Sequence, residues 1–456
     1  MSGTDESEEF REAGDAVYEA LLSRIGEGSP RPRLEPTRRA VELLGDPQRA
    51  YPILHIAGTN GKTSTSRIAE SILRAYGLRT GLLTSPHLER FNERILIDGV
   101  PISDESLAVN WADIEPYLEM VDDELVTAGE SPLTFFEALT VLAFAVFADA
   151  PVDVAVVEVG MGGEWDSTNV ADGDVAVITP IDLDHTNRLG STVTEIARTK
   201  SGIIKPASSV VSARQTPDVL AVLENAAELT ESTLAVEGDG FELLDARVAV
   251  GGQMIDVRGI AGEYRELYLP LHGVHQAQNA VVAIAAVESF LGGGGTSLSY
   301  DALEEGLASV TSPGRLHLVG IEPSVLVDAA HNPHGAAALV AGIGRSFDFD
   351  EIGFVFGALA DKDVTGILTA LAPAAAAFFV TTPDSDRALS ADSVADLIAG
   401  VAPSALIEVV DRADDALVAA REWAASAPRR AVVVTGSIVL VGEAITVAER
   451  EGWMSA

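Results

Sequence analysis

Short apolar runs alternate with amphipathic stretches along almost the whole chain, a pattern that predicts strands and helices in strict succession and hence a parallel α/β architecture. Segments Ile53–Ala57, 80–84, 152–159 and 174–179 are short, β-branched and bounded by turn residues, so they are expected as buried strands. Stretches 64–76 and 135–148 have the helical pattern that would connect them. Beyond Ser208 a further strand-helix unit is expected, then alternating, more exposed antiparallel segments around 237–258, then a helix over about 276–291. The run Gly292 to Gly295 cannot hold regular structure and predicts a surface connection. At Thr311-Ser312-Pro313-Gly314-Arg315 the pattern breaks and restarts, with strands expected at Ser324–Val327, 353–356, 377–381, 406–410 and 431–435. Two domains follow, 1–312 and 313–456, the second of an ordinary domain size.

Composition narrows the class. With 456 residues, 47% of them hydrophobic, the chain exceeds one ordinary core but is globular throughout. No cysteine is present, so any metal must be held by oxygen or imidazole. The acidic, polar segment 1–10 is unlike a signal peptide, and apolar stretches such as 139–147 fall short of the roughly 20 residues of a membrane span. A cytoplasmic protein is expected. The formal net charge of −39, from 69 acidic and 30 basic residues, repels nucleic acid and anionic membranes and reads as a solvated surface suited to high salt.

Lysine is scarce: Lys62, Lys200, Lys205 and Lys362 are the only four. Lys62 stands in Gly58-Thr59-Asn60-Gly61-Lys62-Thr63-Ser64, directly after the strand Ile53–Ala57. Two residues rather than four separate the glycines, so the spacing departs from a standard P-loop. The physical requirements are still met. Glycines let backbone N–H groups turn toward phosphate oxygens, a helix N-terminus adds positive potential, the lysine bridges phosphates, and Thr63 can place its hydroxyl on Mg²⁺.

Two further strand ends carry acids. Glu158 closes the run 154–157 before Gly160-Met161-Gly162-Gly163, and a carboxylate buried there calls for a cation. Asp182-Leu183-Asp184-His185 follows the strand ending near Thr179. Ligands of parallel α/β sheets gather at the carboxyl ends of strands, so Glu158, His185 and the Lys62 loop are expected to converge. In the second domain His331-Asn332-Pro333-His334-Gly335 follows Val327 and Asp328, which suggests a site built across the domain interface.

These segments together resemble the folylpolyglutamate synthase and dihydrofolate synthase enzymes of the Mur ligase superfamily. The resemblance runs in order through Leu43-Leu44-Gly45-Asp46-Pro47-Gln48, Gly58 to Thr63, Ser85-Pro86-His87-Leu88, Phe91-Asn92-Glu93-Arg94, Thr134-Phe135-Phe136-Glu137, Glu158 to Gly163, Asp182 to Thr186 and Lys200-Ser201-Gly202-Ile203. It continues through His272-Gly273-Val274-His275-Gln276 with Asn279, Gly314-Arg315, Asp328 to Pro333, Asp361-Lys362-Asp363 and Thr435-Gly436-Ser437. Each motif is weak alone; their joint order is specific.

The resemblance implies a Mur-ligase-type ATP-binding P-loop domain with a mostly parallel sheet, followed by a smaller Rossmann-like glutamate-ligase domain. It implies ATP-driven amide formation, in which a folate or dihydropteroate carboxylate takes the γ-phosphoryl group and the amine of L-glutamate attacks the acyl phosphate. By similarity Thr59, Asn60, Gly61, Lys62 and Thr63 hold the triphosphate, and Ser85, Glu158, His185 and Lys200 ligate two Mg²⁺ ions. Lys200 matches a lysine that the superfamily carbamylates. Lys62, Glu158, His185 and Lys200 are thus the implied catalytic set. Asn279, Arg315 and Asp328 would complete the nucleotide site, His331 and Ser437 would receive glutamate, and Thr134, Phe135, Phe136, Glu137, Trp165, Asp166 and Ser167 would border the pteridine. The family is commonly monomeric.

Two departures stand out: the loop reads Gly-Lys-Thr-Ser rather than the Gly-Lys-Gly-Ser common in folate enzymes, and Glu164 stands where those enzymes usually carry arginine. Two other readings stay open at this point. One is an amino-acid ligase acting on a cell-wall nucleotide precursor. The other is a P-loop regulatory switch, which would need neither the second α/β domain nor the Lys200 position.

Overall fold

A computed structural model of the chain describes residues 3–26 and 31–454. The start of the segment 1–10, on which the signal-peptide expectation rests, lies outside the described residues. No helix among those described is long and apolar enough to cross a membrane.

By contacts the chain groups into two units. The first gathers residues 1–243, 257–264 and 279–309; the second gathers 244–256, 265–278 and 310–456. The first unit is built on an eight-stranded sheet whose strands are β1 (Ile53–Ala57), β2 (Thr80–Leu83), β3 (Ile95–Ile97), β4 (Val100–Pro101), β5 (Val154–Glu158), β6 (Val175–Ile178), β7 (Ser209–Ser212) and β8 (Thr233–Val236). Their spatial order is β4-β3-β2-β5-β1-β6-β7-β8. The pairings β2-β5, β5-β1, β1-β6, β6-β7 and β7-β8 are parallel, whereas β3 pairs antiparallel with both β2 and β4. β1, β2, β5 and β6 are buried at every position, which explains their unbroken apolar runs.

Helices cover both faces. On one, Phe135, Leu139, Leu142 and Phe144 of the helix Phe135–Asp149 pack with Ile53, Ala155 and Val157 of the strands. On the other, Ile196 and Ala197 of the helix Val193–Ser201 and Val219 and Leu223 of the helix Pro217–Leu229 pack with Ala57, Ala176, Ile178 and Val210. A separate three-stranded sheet, β9 (Glu242–Ala249), β10 (Gly252–Arg258) and β11 (Glu263–Leu269), has β10 in its centre, matching the antiparallel alternation expected near 237–258.

The second unit's sheet comprises β12 (His317–Gly320), β13 (Ser324–Val327), β14 (Glu351–Phe356), β15 (Ala375–Val380), β16 (Leu406–Val409) and β17 (Arg430–Thr435), in the order β12-β13-β17-β14-β15-β16. β13 to β17 run parallel and only the edge strand β12 is antiparallel. Phe354, Phe356 and Phe378 are buried with Leu339, Ile367 and Val394 of the covering helices. The sequence pattern finds β13 to β17 within a residue or two and omits β12, whose four residues lack a long apolar run.

Candidate active site

The register of the first sheet assembles the site. Ile56 pairs with Glu158 and Ala57 with Ile178, so the carboxyl ends of β5, β1 and β6 lie side by side and their following loops meet. After β1 the chain makes the Gly58 to Gly61 turn and enters the helix Lys62–Ala75. That helix starts two residues earlier than its apolar periodicity suggests, because Gly61 caps it in the left-handed region at φ 86°. A Cβ on Gly61 would fall 2.4 Å from Oδ1 of Asn279, so the amide of Asn279 abuts the loop backbone and only glycine fits.

The loop is fixed to the strand end beside it. The N–H groups of Thr59 and Asn60 donate to the Pro180 carbonyl at 2.9 and 3.3 Å. The Thr59 hydroxyl donates to the Asp182 carbonyl and accepts from the Asp182 N–H, at 3.0 and 3.1 Å. Lys62 is half-buried, and its Nζ lies back over the turn, 3.4 Å from the Thr59 carbonyl.

Glu158 is 2% exposed and is addressed from two sides. The Thr63 hydroxyl donates to its Oε1 at 2.9 Å, and the Ser85 N–H donates to Oε2 at 3.4 Å. Thr63, Ser85 and Glu158 are therefore brought together. Lys200, 4% exposed, donates from Nζ to the Gly58 carbonyl at 2.6 Å. Burial and the nearby Lys62 charge push its amine down to about 7, with Asp184 and Asp166 acting the other way. His185 sits beyond β6 in the left-handed region at φ 48°, with Nε2 4.0 Å from Asp184 Oδ2. Among the described residues no group of three His, Asp or Glu side chains forms a ready metal cage.

The residues expected near the pteridine divide. Thr134 and Glu137 form a capping box at the start of the helix Phe135–Asp149, and the Arg33 guanidinium grips Glu137 through Nε and Nη2 at 2.9 and 3.0 Å. The Thr-x-x-Glu spacing signals the box in the sequence; nothing local signals Arg33. Phe135 is core, packed edge-on to Phe91 with Arg94 5.1 Å from its ring centroid. Phe136 and Trp165 are half-buried, Glu164 is exposed, and Ser167 is buried with its hydroxyl 2.7 Å from that of Thr140. Asp166 is buried and accepts from the N–H groups of Met161 and Thr168 and from the Thr168 hydroxyl; burial pushes its carboxyl up and these donors restrain it. Behind it His55 Nε2 lies 2.9 Å from the Thr168 hydroxyl oxygen.

In the second unit β13 and β17 are parallel neighbours, with Val327 paired to Val434, so the residues after each strand share one end of the sheet. Asp328 is buried there and accepts from the N–H groups of Leu316 and Ala330 at 2.7 and 2.9 Å. Burial raises its carboxyl, while the Arg315 and His275 charges oppose the rise. His275, which sequence reasoning did not single out, faces Asp328, His334 and Arg315; burial lowers its imidazole. His331 Nδ1 lies 2.9 Å from the Ala329 carbonyl, Asn332 caps the helix Pro333–Ser346, and Ser437 caps the helix Ile438–Arg450.

Residues 56–287 match the Mur ligase middle domain and residues 314–438 the Mur ligase glutamate ligase domain, which places the fold in the class of Mur-type ligases. A dihydrofolate synthase/folylpolyglutamate synthase of Mycobacterium tuberculosis is 44% identical over 448 residues, covering 92% of each chain. The crystal structure of the M. tuberculosis folylpolyglutamate synthase complexed with ADP and AMPPCP has a TM-score of 0.91 at 43% identity, covering 96% of this chain and 99% of that one. An Escherichia coli FolC in complex with DHPP and ADP has a TM-score of 0.82 at 29% identity, covering 96% and 98%. This chain belongs to the dihydrofolate synthase/folylpolyglutamate synthase family. The cell-wall ligase and regulatory-switch readings are not supported by these relatives.

Proposed function

We propose that this protein is an ATP-dependent ligase that joins L-glutamate to the carboxylate of a dihydropteroate or folate substrate. The observation that carries the reading is the convergence of Thr63, Glu158 and Lys200 on the 58–63 loop at the carboxyl ends of adjacent parallel strands. In the first step an oxygen of the substrate carboxylate attacks the γ-phosphorus of ATP, the bond to the bridging oxygen breaks, and ADP leaves an acyl phosphate. In the second the glutamate amine attacks the acyl carbon, phosphate departs, and the nitrogen loses its proton. Such chemistry needs positioning and charge neutralisation more than covalent assistance. Thr59 to Thr63 provide both, through the Lys62 ammonium and the N-terminal N–H groups of the helix Lys62–Ala75.

The donor set suits Mg²⁺, a hard cation that takes one or two carboxylates and completes its shell with water and phosphate oxygens. Glu158, the Thr63 hydroxyl and Ser85 offer such oxygens, and two ions would be held by Ser85, Glu158, His185 and Lys200. Bound Mg²⁺ would supply charge neutralisation at the phosphates. Lys200 serves as a ligand only as its carbamate: the neutral amine forms an N–C bond to CO₂ and releases a proton. Burial that pushes the amine down to about 7 supports this, because it leaves much of the amine neutral at physiological pH.

Phe136 and Trp165, whose rings are half-buried, are assigned to the pteridine together with Thr134, Asp166 and Ser167, while Phe135 and Glu137 shape that region from within. Asn279, Arg315 and Asp328 are assigned to the nucleotide, and His331 and Ser437 to glutamate. The reading makes the protein a cytoplasmic monomer. Its test is ADP release with L-glutamate and, in turn, dihydropteroate, tetrahydrofolate and a cell-wall nucleotide precursor. Turnover with either pterin substrate is expected; turnover with the precursor alone overturns the reading.

A further inference from the structure

Lys205 has no part in the chemistry above, and its contacts lead to Asn169. Asn169 lies in the single turn Ser167–Val170, directly after the assigned substrate loop, and is buried. Its Nδ2 makes two bonds to two different segments: 2.9 Å to the Glu164 carbonyl and 3.0 Å to the Gly202 carbonyl. The Gly202 segment answers it, because Lys205 Nζ donates to the backbone carbonyl of Asn169 at 3.0 Å. The two contacts form a reciprocal clasp between residues 164–169 and 202–205.

The surfaces so joined are in close backbone contact. The Glu164 N–H donates to the Thr199 carbonyl at 2.7 Å, and a Cβ on Gly202 would fall 2.5 Å from the Glu164 Cα. Residues 199–202 end the helix Val193–Ser201, which carries Lys200, and Lys200 reaches the Gly58 carbonyl at the start of the phosphate loop. A continuous path therefore runs from the substrate loop, through Asn169 and the helix end, to the nucleotide loop.

We propose that Asn169 is a positioning residue, clasped by Lys205, that fixes the 164–167 loop against the Lys200 segment and so sets the acceptor carboxylate in register with the phosphate loop. The proposal rests on the ligase reading above. The amide is needed for its two donors on one nitrogen, which aspartate lacks at equal size. Lys205 is half-buried and burial lowers its amine, so it contributes as a donor at a fixed point rather than as a solvated surface charge.

The test compares Asn169→Asp, Asn169→Ala, Lys205→Met and Lys205→Arg in steady-state ADP release with dihydropteroate or tetrahydrofolate. KM for the pterin substrate and for ATP is measured separately, and thermal melting serves as the fold control. The pterin KM is expected to rise about tenfold in both Asn169 variants, with KM for ATP within about twofold. Lys205→Met should shift the same KM in the same direction by a smaller factor, and Lys205→Arg should restore it by keeping a donor. Equal shifts in both KM values, or none, in folded variants would overturn the clasp. If the Asn169 variants fail to fold, the Lys205 pair decides: an unchanged pterin KM in folded Lys205→Met overturns the proposal. Absence of wild-type turnover with any pterin substrate would count against the ligase reading, not against the clasp.

Discussion

The Nζ of Lys200 donates to the carbonyl of Gly58, joining a buried lysine at the end of the helix Val193–Ser201 to the first residue of the 58–63 loop 142 positions earlier. A bare ammonium would be a costly occupant of that position, since it is buried and close to a second cation, Lys62. The bond makes the loop, the strand end and the Lys200 helix one framework, and the expectations below follow from how each of its members is held.

Lys62→Ala should reduce ADP release by about a hundredfold or more, because the variant removes the one ammonium carried by the loop itself. Its fold should persist, since Lys62 is half-buried and its Nζ contact, at 3.4 Å to the Thr59 carbonyl, stays within its own turn. Melting and turnover measured together check this, and near-wild-type turnover would refute the assignment of Lys62 to phosphate.

Thr63→Ala should raise the Mg²⁺ concentration needed for half-maximal ADP release by about tenfold, since the hydroxyl both orients Glu158 and offers an oxygen of its own. A titration at saturating ATP reads the effect. An unchanged Mg²⁺ requirement would separate Thr63 and Glu158 from the metal.

His55 predicts a loss of stability in acid. Burial pushes its imidazole down to about 3, whereas in the unfolded chain it protonates near 6.5, so between these values the unfolded state holds one more proton. The folded state therefore has this contribution in full above pH 6.5 and loses it as pH falls toward 3, at a slope of up to about 1.4 kcal/mol per pH unit. His55→Gln keeps an amide donor for the Thr168 hydroxyl and should flatten that part of the curve. Urea denaturation of both proteins between pH 4 and 7 measures the difference.

The net charge of −39 predicts that melting temperature and turnover rise with KCl, because at about 1 M salt the Debye length shrinks to about 3 Å and mutual repulsion among the acids is muted. An optimum below physiological salt would contradict a surface built for high salt.

The strands and the turn that follows β1 were legible because their signals are local: β1, β5 and β6 are buried at every position, and Gly58 to Thr63 carries its own turn chemistry. Lys200 was marked only by its place in the resemblance, whereas the burial of Glu158 was legible from its place at a strand end. The pairing of Arg33 with Glu137 and of Lys205 with Asn169 was not, since each joins segments far apart in sequence and uses residues common on any surface. Phe135 and Phe136 show the same limit. Adjacent aromatics at a helix start read alike, yet the helix turns Phe135 into the core and leaves Phe136 half-buried.

Phosphoryl transfer to the substrate carboxylate leaves an oxygen-isotope signature in the products. Dihydropteroate or tetrahydrofolate carrying a heavy oxygen isotope in the reacting carboxylate is turned over with ATP and L-glutamate, and the released phosphate is analysed by mass spectrometry. Transfer of one labelled oxygen into phosphate for each amide formed is predicted, because the acyl phosphate breaks between carbon and that oxygen. Amide formation with unlabelled phosphate would rule out the acyl phosphate.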